Sequence, residues 1–368
     1  MERACVFCGK RPESGTSEHV LPQWLIELTG DPKRTAEFGY QHLENGRIVK
    51  RKYSFNAFKF PACKFCNQKF SELEAITKTI AQKIISEDFL SALELSTLLD
   101  WFDKTRTGLW LGYRYLDRNS LKITPHYYIE NRIGQHDRML AVFKADGGSQ
   151  GLTFVGCDTP SFGLTPSCFL LRINNFCFLN MSYPNLLSRR IGFPYPLETY
   201  VLEDERLLCQ FAKGRNRIMR PVLKKLINIQ GTKLYQPIFV GNIGSTNSTV
   251  IKLLYDTEYV RDNCISWEKG IGKIFIESDS KLNIYSDRPS KEWIPEKTHN
   301  FKALLFETQI LTLDWQLYID NLHPQLKLLS EEKRRVLDQN RSLSRYYNKQ
   351  MIKILRRKAN DIGMPPMH

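Results

Sequence analysis

Residues 5–25, CVFCGKRPESGTSEHVLPQWL, and residues 63–74, CKFCNQKFSELE, decide how the first part of this chain folds. Each opens on a C-x-x-C pair, Cys5/Cys8 and Cys63/Cys66, with 54 residues between the pairs. A C-x-x-C turn presents two sulfurs to one point, so two such turns can supply four thiolates to one tetrahedral Zn²⁺. The stretch they enclose is loop-rich and poor in core, the setting in which bound metal supplies folding free energy. Closing the two pairs brings Glu18 and His19 towards Asn67, which directly follows Cys66 and opens a predicted helix. That helix is read from Phe70, Leu73, Ile76, Ile80 and Ile84, which recur at three or four residues. Trp24, after Pro22, is expected to seal the module as core.

Outward from this nucleus, YQHLENGRIVKRKYSF (40–55) is apolar on both sides of Asn45-Gly46, the pair that a type I′ hairpin prefers. Further helix is expected over much of 86–105. Residues 106–300 change character: HYYIE, MLAVFKA, GLTFVGC, FLLRINNFCFLNM, YQPIFVGN, STVIKLLY, GKIFIES and LNIYSD alternate with Gly, Asn, Asp and Pro turns. This predicts a mostly antiparallel sheet, with helix near 184–190 and 203–228. From Phe301 the pattern returns to helix, ending in one long helix near 328–359. The expected architecture is α+β: a zinc-stapled module over 1–85, a β-rich α+β region over 86–300, and a basic helical region over 301–368.

The residues the two pairs bring together have a chemistry. A carboxylate and an amide oxygen, Glu18 and Asn67, are hard ligands suited to Mg²⁺ or Mn²⁺. An imidazole beside them, His19, can take a proton from water. One metal, one base and one water are sufficient for phosphodiester hydrolysis. Glu74 lies on the same helix face as Asn67 but ~10 Å further along the axis. It is read as a salt-bridge partner or, less directly, a site residue.

C-x-x-C, then E-H-x-x-P, then C-x-x-C-N at a helix start resembles the four-cysteine type of HNH (ββα-metal) endonuclease. The wording EHVLPQWL … CKFCNQKFSELE is similar to HNH proteins of bacterial anti-phage defence operons. The resemblance covers residues 5–74. It implies a nuclease acting on DNA rather than RNA, as a nicking or restriction-type effector, with other proteins of a defence operon as further partners. By that likeness His19 matches the general base, Glu18 and Asn67 the ligands of a catalytic Mg²⁺ or Mn²⁺, and Cys5, Cys8, Cys63 and Cys66 the ligands of a structural zinc. One position departs. Where the family places its middle Asn, five residues before the second pair, this chain has Phe58, so Asn56 is the candidate to orient the His19 ring. The departure leaves open a zinc-stapled nucleic-acid-binding protein with a decayed HNH site. A third reading gives the function to 106–300, with the HNH unit only structural.

Charge points the same way. Lys and Arg number 53 against 39 Asp and Glu, a net +14, which favours anionic partners, nucleic acid first among them. Lys50, Arg51 and Lys52 of the predicted hairpin, with Arg47, are either backbone contacts or a solvated strand edge. On the long C-terminal helix, Arg341, Arg345, Lys349, Lys353 and Arg356 form a one-signed stripe of the kind that tracks phosphates. Leu343, Tyr347, Met351 and Ile354 are expected to dock that helix. The composition, 42% hydrophobic and 12% aromatic, is that of a folded globular protein. The remaining cysteines, Cys157, Cys168, Cys177, Cys209 and Cys264, are read as buried thiols. Without a predicted membrane span or leader, a cytoplasmic monomer is expected.

Overall fold

A single helix covered on both faces organises the chain. In the computed structural model this is α3 (Ala92–Leu116), buried almost throughout from Leu98 to Tyr113. The structure describes residues 4–13, 16–42, 44, 48–116, 124–147, 150–183, 186–201, 207–219, 230–239, 256–320, 330–361 and 363. Before α3 come β1 (Ser17–His19), α1 (Gln23–Leu28), β2 (Thr35–His42), β3 (Ile48–Ser54), a 3-10 turn (Phe55–Ala57), β4 (Lys59–Pro61) and α2 (Lys64–Ile85). Strands β1 and β4 pair antiparallel, as do β2 and β3. The strands of the expected hairpin therefore form, starting earlier than the apolar pattern suggests, while its Asn45-Gly46 turn lies outside the described residues.

After α3 the chain builds an eight-stranded sheet. Its strands are β5 (Arg138–Ala145), β6 (Leu152–Val155), β7 (Cys168–Ile173), β8 (Phe176–Ser182), β11 (Thr232–Gln236), β14 (Phe275–Ser278), β15 (Lys281–Ile284) and β16 (Thr298–His299). They lie in the order β15-β14-β11-β5-β8-β7-β6, all antiparallel, with the short β16 added parallel to β5. Two pairs stand apart, β9 (Pro196–Val201) with β10 (Leu207–Phe211) and β12 (Cys264–Ser266) with β13 (Ile271–Gly272). The expected mostly antiparallel sheet is present. Residues 106–116, expected to open the β-rich stretch, continue helix α3, STVIKLLY (248–255) lies outside the described residues, and two further segments differ. HYYIE (126–130) is not a strand; it lies across the first cysteine turn, Ile129 N–H donating to Val6 O at 3.1 Å and Glu130 N–H to Phe7 O at 2.9 Å. Residues 207–211, within the expected second helix, are strand β10.

Alternation along the central strands explains why they read as unbroken apolar runs. Leu140, Val142, Phe169, Leu171, Phe176 and Phe178 face α3 and the N-terminal module. Met139, Ala141, Phe143, Leu170, Cys177 and Leu179 face the other way, onto Leu304, Leu311 and Trp315 of α7 (Phe301–Asp320). The short helices α4 (Pro160–Leu164), α5 (Leu186–Ile191) and α6 (Thr257–Asn263) fill the margins. A sheet covered on both faces needs no polar alternation. One apolar cluster runs from Cys5 and Phe7 through Val20, Phe60 and Trp101 to Phe178 and Trp293, so packing continues without a break across residues 85–86.

The last helix, α8 (Glu331–Asp361), docks one step round from the face expected. Arg341, Ser344, Asn348, Ile352, Leu355 and Ala359 point inward, while Leu343 is 57% and Ile354 42% exposed. Ile352 and Leu355 pack on Ile310 and Leu313 of α7, and Asn348 Nδ2 donates to Leu313 O and Gln316 Oε1, both at 3.2 Å. Polar residues hold the inner positions of the first half of the docked face, and this is why apolar periodicity missed it. Among the described residues, no helix is long and apolar enough to cross a membrane.

Glycines let the β1/β4 ribbon sit against α3. A Cβ at Gly108 would lie 2.8 Å from Val20 Cγ1, and one at Gly112 would lie 2.4 Å from the Phe60 ring. Gly→Ala inside a helix ordinarily gains ~1 kcal/mol of propensity, but overpacking a buried contact costs about 1–3 kcal/mol. Gly112→Ala is therefore expected to lower stability by roughly 1 kcal/mol, read as a fall in the denaturation midpoint. A raised midpoint would show that the ribbon is not pressed on this helix.

Candidate active site and metal centre

The four cysteines converge. Their sulfurs all lie within 4.8 Å of one another, and Cys8 Sγ stands 3.8 Å from Cys63 Sγ. Zinc–thiolate bonds of about 2.3 Å in a tetrahedron put neighbouring sulfurs about 3.8 Å apart, so the cluster is sized for such an ion. The backbone builds it: Val6 N–H donates to Pro61 O at 2.9 Å, Ala62 N–H to Thr16 O at 3.1 Å, and Cys63 N–H to Cys5 Sγ at 3.3 Å. Burial works against a Cys5 thiolate, but the N–H groups of Cys63, Cys8 and Phe7 outweigh it and hold its pKa below 9.0. Burial, then the hydrogen bonds and charges of Cys5 and Cys8, push Cys63 up to about 12. Four sulfurs gathered this tightly need a cation to be thiolates together. The group can hold a metal ion such as zinc, and four sulfur ligands leave it no open position for catalysis.

His19 sits at the end of β1, directly opposite Lys59 of β4, and Glu18 opposite Phe60. Successive strand residues point to opposite faces, so the two halves of Glu18-His19 part company. On one face, the Asn56 side chain lies near enough to the His19 imidazole to favour its protonated form, and the Lys59 charge is felt by the same ring. His19 Nε2 is buried with no hydrogen-bond partner among the described residues. Burial first, then Lys59 and Lys104, lower the His19 pKa below 6.5, with Asn56 opposing them, so the ring is neutral at neutral pH.

Asn56 reaches His19 because the chain makes a 3-10 turn over Phe55–Ala57, capped by Ser54, whose Oγ accepts from Asn56 N–H at 3.2 Å. The turn, rather than the strand expected at Asn56, carries it to the ring. Phe58, in the slot where the family's Asn was expected, is fully buried against Phe38, Phe55 and Phe154.

On the other face, Glu18 meets Lys104. The Lys104 ammonium, 1% exposed, donates to Glu18 Oε1 at 2.7 Å and also to Glu74 Oε1. Glu74 in turn accepts from Trp101 Nε1 at 3.1 Å and Trp24 Nε1 at 3.0 Å. Burial acts to lower Lys104, but Glu74 and Glu18 more than reverse it and hold it charged. Burial also raises the Glu18 pKa, Lys104 only partly offsetting it. The partner of Glu18 is thus Glu74 through a shared lysine, two helical turns past Asn67. Asn67 stays in the first turn of α2, its N–H bonded to Cys63 O at 2.9 Å, and no side-chain hydrogen bond joins it to Glu18. These residues do not fit a Mg²⁺ or Mn²⁺ seat, because the carboxylate adjacent to His19 leaves the opposite face of β1 and is held there by a buried ammonium.

Lys104 and Lys59 escaped the sequence reading. Lys59 carried a signal, since any antiparallel partner of β1 must set one residue opposite His19; Lys104, in the third helix, carried none. Of the basic candidates, Lys50 is ion-paired to Asp158 at 3.4 Å, Arg51 is half-buried and Lys52 is exposed. Arg341 is buried and Arg345 half-buried, and the charges of both reach Asp320, so the expected stripe is split: Lys349, Lys353 and Arg356 stay exposed. Cys157, Cys168 and Cys177 are buried as expected, Cys264 is half-buried, and the Cys209 side chain lies outside the described residues.

No family model, curated protein or solved structure matches this chain.

If the four sulfurs hold the module together through a metal, wild-type protein should carry about one zinc per chain. Cys63→Ser should lose that zinc and melt at lower temperature, because binding free energy is folding free energy at such a site. A zinc-free preparation with the wild-type melt would refute the assignment.

Proposed function

We propose that this chain is an HNH-like endonuclease that hydrolyses DNA phosphodiester bonds, with His19 as general base, and that it serves as a nicking or restriction-type effector in anti-phage defence. The supporting observation is His19 itself: a neutral imidazole with Asn56 on its ring and a buried, unpartnered Nε2. A neutral imidazole nitrogen without a hydrogen-bond partner among the described residues has the chemistry to take a proton. Its setting, two antiparallel strands leading into a helix and tied by four cysteines, agrees with the ββα arrangement that the sequence resembles. In the reaction, a water gives its proton to His19 as its oxygen bonds to phosphorus. The P–O bond to the leaving oxygen breaks, and that oxygen takes a proton from solvent. The products are a phosphomonoester and a free hydroxyl, and His19 returns its proton to solvent. Zinc on the four cysteines is assigned a structural role.

One observation favours a second reading, nucleic-acid binding without cleavage: Glu18 is spent on Lys104. The two readings divide on His19. His19→Ala should reduce nicking of supercoiled plasmid by roughly 10²–10⁴-fold, the usual contribution of a general base, with zinc content and melt unchanged. Asn56→Ala should lose less, since it removes only the group that orients the ring. With Lys59, Lys104 and Glu18 as the charged neighbours, the lowered pKa sets the sign of the pH profile. Activity should be flat above pH 7 and fall as the pH drops through a value below 6.5. A His19→Ala protein that nicks at the wild-type rate would remove the active-site assignment.

The C-terminal helix is assigned phosphate contacts through its exposed cations only. Changing Lys349, Lys353 and Arg356 to Glu should weaken binding to all duplexes alike, each lost contact lowering the salt slope by ~0.9. Arg341→Ala should instead lower stability and leave the slope unchanged. Filter binding across a salt series, run beside a thermal melt, reads both.

A further inference from the structure

We propose that Lys59 supplies the positive charge that holds the scissile phosphate at this site, in the role that the sequence likeness gives to a divalent cation, so that cleavage proceeds without Mg²⁺ or Mn²⁺. The inference rests on the nuclease reading above.

Three observations carry it. The first is register. His19 and Lys59 are direct partners across the β1/β4 pair, so their side chains leave the ribbon on the same face with Cβ atoms about 5 Å apart. A phosphate in front of His19 is therefore in front of Lys59. The second is availability. Lys59 is exposed, and it forms no ion pair among the described residues. An exposed ammonium without an acidic partner among the described residues is free to meet an anion, and the strand register sets it beside the imidazole.

The third is the fate of Glu18. Its carboxylate leaves the opposite face of β1, is held by the buried Lys104, and shares that lysine with Glu74. Drawing Glu18 off as a metal ligand would break one of the two ion pairs of the buried Lys104, leaving Glu74 as its remaining carboxylate, and breaking a buried pair costs several kcal/mol. Nothing on the His19 face replaces that carboxylate. Of the imidazole, the amide and the ammonium on that face only the ammonium is charged, and its sign favours an anion. Lys104 thus locks the inner face as structure, and Lys59 is the charge that the register sets beside the base. The four-cysteine centre cannot stand in, since a closed set of sulfur ligands has no site for a phosphate oxygen.

The test uses the full chain, zinc-loaded and passed over chelating resin, with metal analysis confirming that zinc is retained and Mg²⁺ and Mn²⁺ are absent. Supercoiled plasmid is incubated with no divalent ion, with Mg²⁺ and with Mn²⁺, beside a His19→Ala protein prepared identically. The expected result is nicking without added metal at a rate comparable to that with it, and none by His19→Ala. Lys59→Ala should lose about 10²-fold or more in the metal-free assay, as removal of a charge-stabilising donor does, with an unchanged melt because the side chain is exposed. Lys59→Arg should restore most of the rate. Nicking that appears only with Mg²⁺ or Mn²⁺ overturns this inference and leaves the nuclease reading standing. Equal metal-free rates for Lys59→Ala and wild type overturn it as well. No nicking in any condition, from folded and zinc-loaded protein, overturns the nuclease reading and this inference together.

Discussion

The charge of Lys104, buried between two carboxylates, is the interaction on which the arrangement of the N-terminal half depends. A lone ammonium in a protein interior is so costly that it ordinarily sheds its proton or its burial. Here it keeps both because Glu18 arrives from β1 and Glu74 from α2. The lysine belongs to α3, whose other side is packed on the sheet. Three segments far apart in sequence are thereby fixed at one point. Trp24 and Trp101 complete it by donating to Glu74. The cysteine cluster performs a related task at the ribbon's far end, joining the first turn to the start of α2. Staple and ion pair act in series: the first sets where the strands begin, the second sets which face of β1 looks inward.

The same helix carries a second set of buried charges on its sheet side. Arg106 donates to Asp103, Asn180 and Pro166 O, and Arg138 of β5 donates to Asp100, Asp103 and Gln236. Burial would raise the Asp103 pKa, but Arg106, Arg138 and Arg132 outweigh it and hold the carboxyl below its ordinary value. Residues 103–107, DKTRT, thus place Lys104 towards one layer, and Asp103 and Arg106 towards the other. A polar run inside a helix conventionally marks a solvated turn, and here it marks the centre of the molecule. Gly108 and Gly112 follow on the Lys104 side and let Val20 and Phe60 come close enough for the ion pair to form.

What could be read in the sequence follows from which signals are local. Two C-x-x-C pairs need only mutual proximity, and their meeting was legible. The period-two runs of the sheet were legible as strands because a half-dozen apolar residues between turns have few other uses. Their two-sided burial was legible only in the lack of polar alternation. The docked face of α8 was not, because Arg341 and Asn348 hold inner positions facing Asp320 and Gln316 on another helix, and Ser344 bonds back to Asn340 O of its own helix. Apolar spacing then picked the neighbouring stripe, Leu343 to Ile354. HYYIE has strand composition but spends its backbone bonds on the first cysteine turn. In each miss a polar or aromatic residue is satisfied by something distant in the chain.

The Glu18-His19 pair shows the same limit at the candidate site. Adjacency in sequence suggests that the two act on one ligand, and in a loop or helix they could. In a strand, adjacency guarantees the reverse, since each residue takes the opposite face. Pairing of β1 with β4 therefore assigns the two residues different work before any chemistry is considered. The inward one needs an opposite charge, and Lys104 supplies it; the outward one is half-buried beside Lys59 and Asn56. The neighbours then follow from register and turn geometry. Lys59 stands beside His19 because β4 runs antiparallel with His19 opposite position 59. Asn56 reaches the ring because a 3-10 turn, and not continued strand, precedes β4. The face that results carries the Lys59 ammonium, the Asn56 amide and the His19 ring, whose Nε2 is buried without a partner among the described residues.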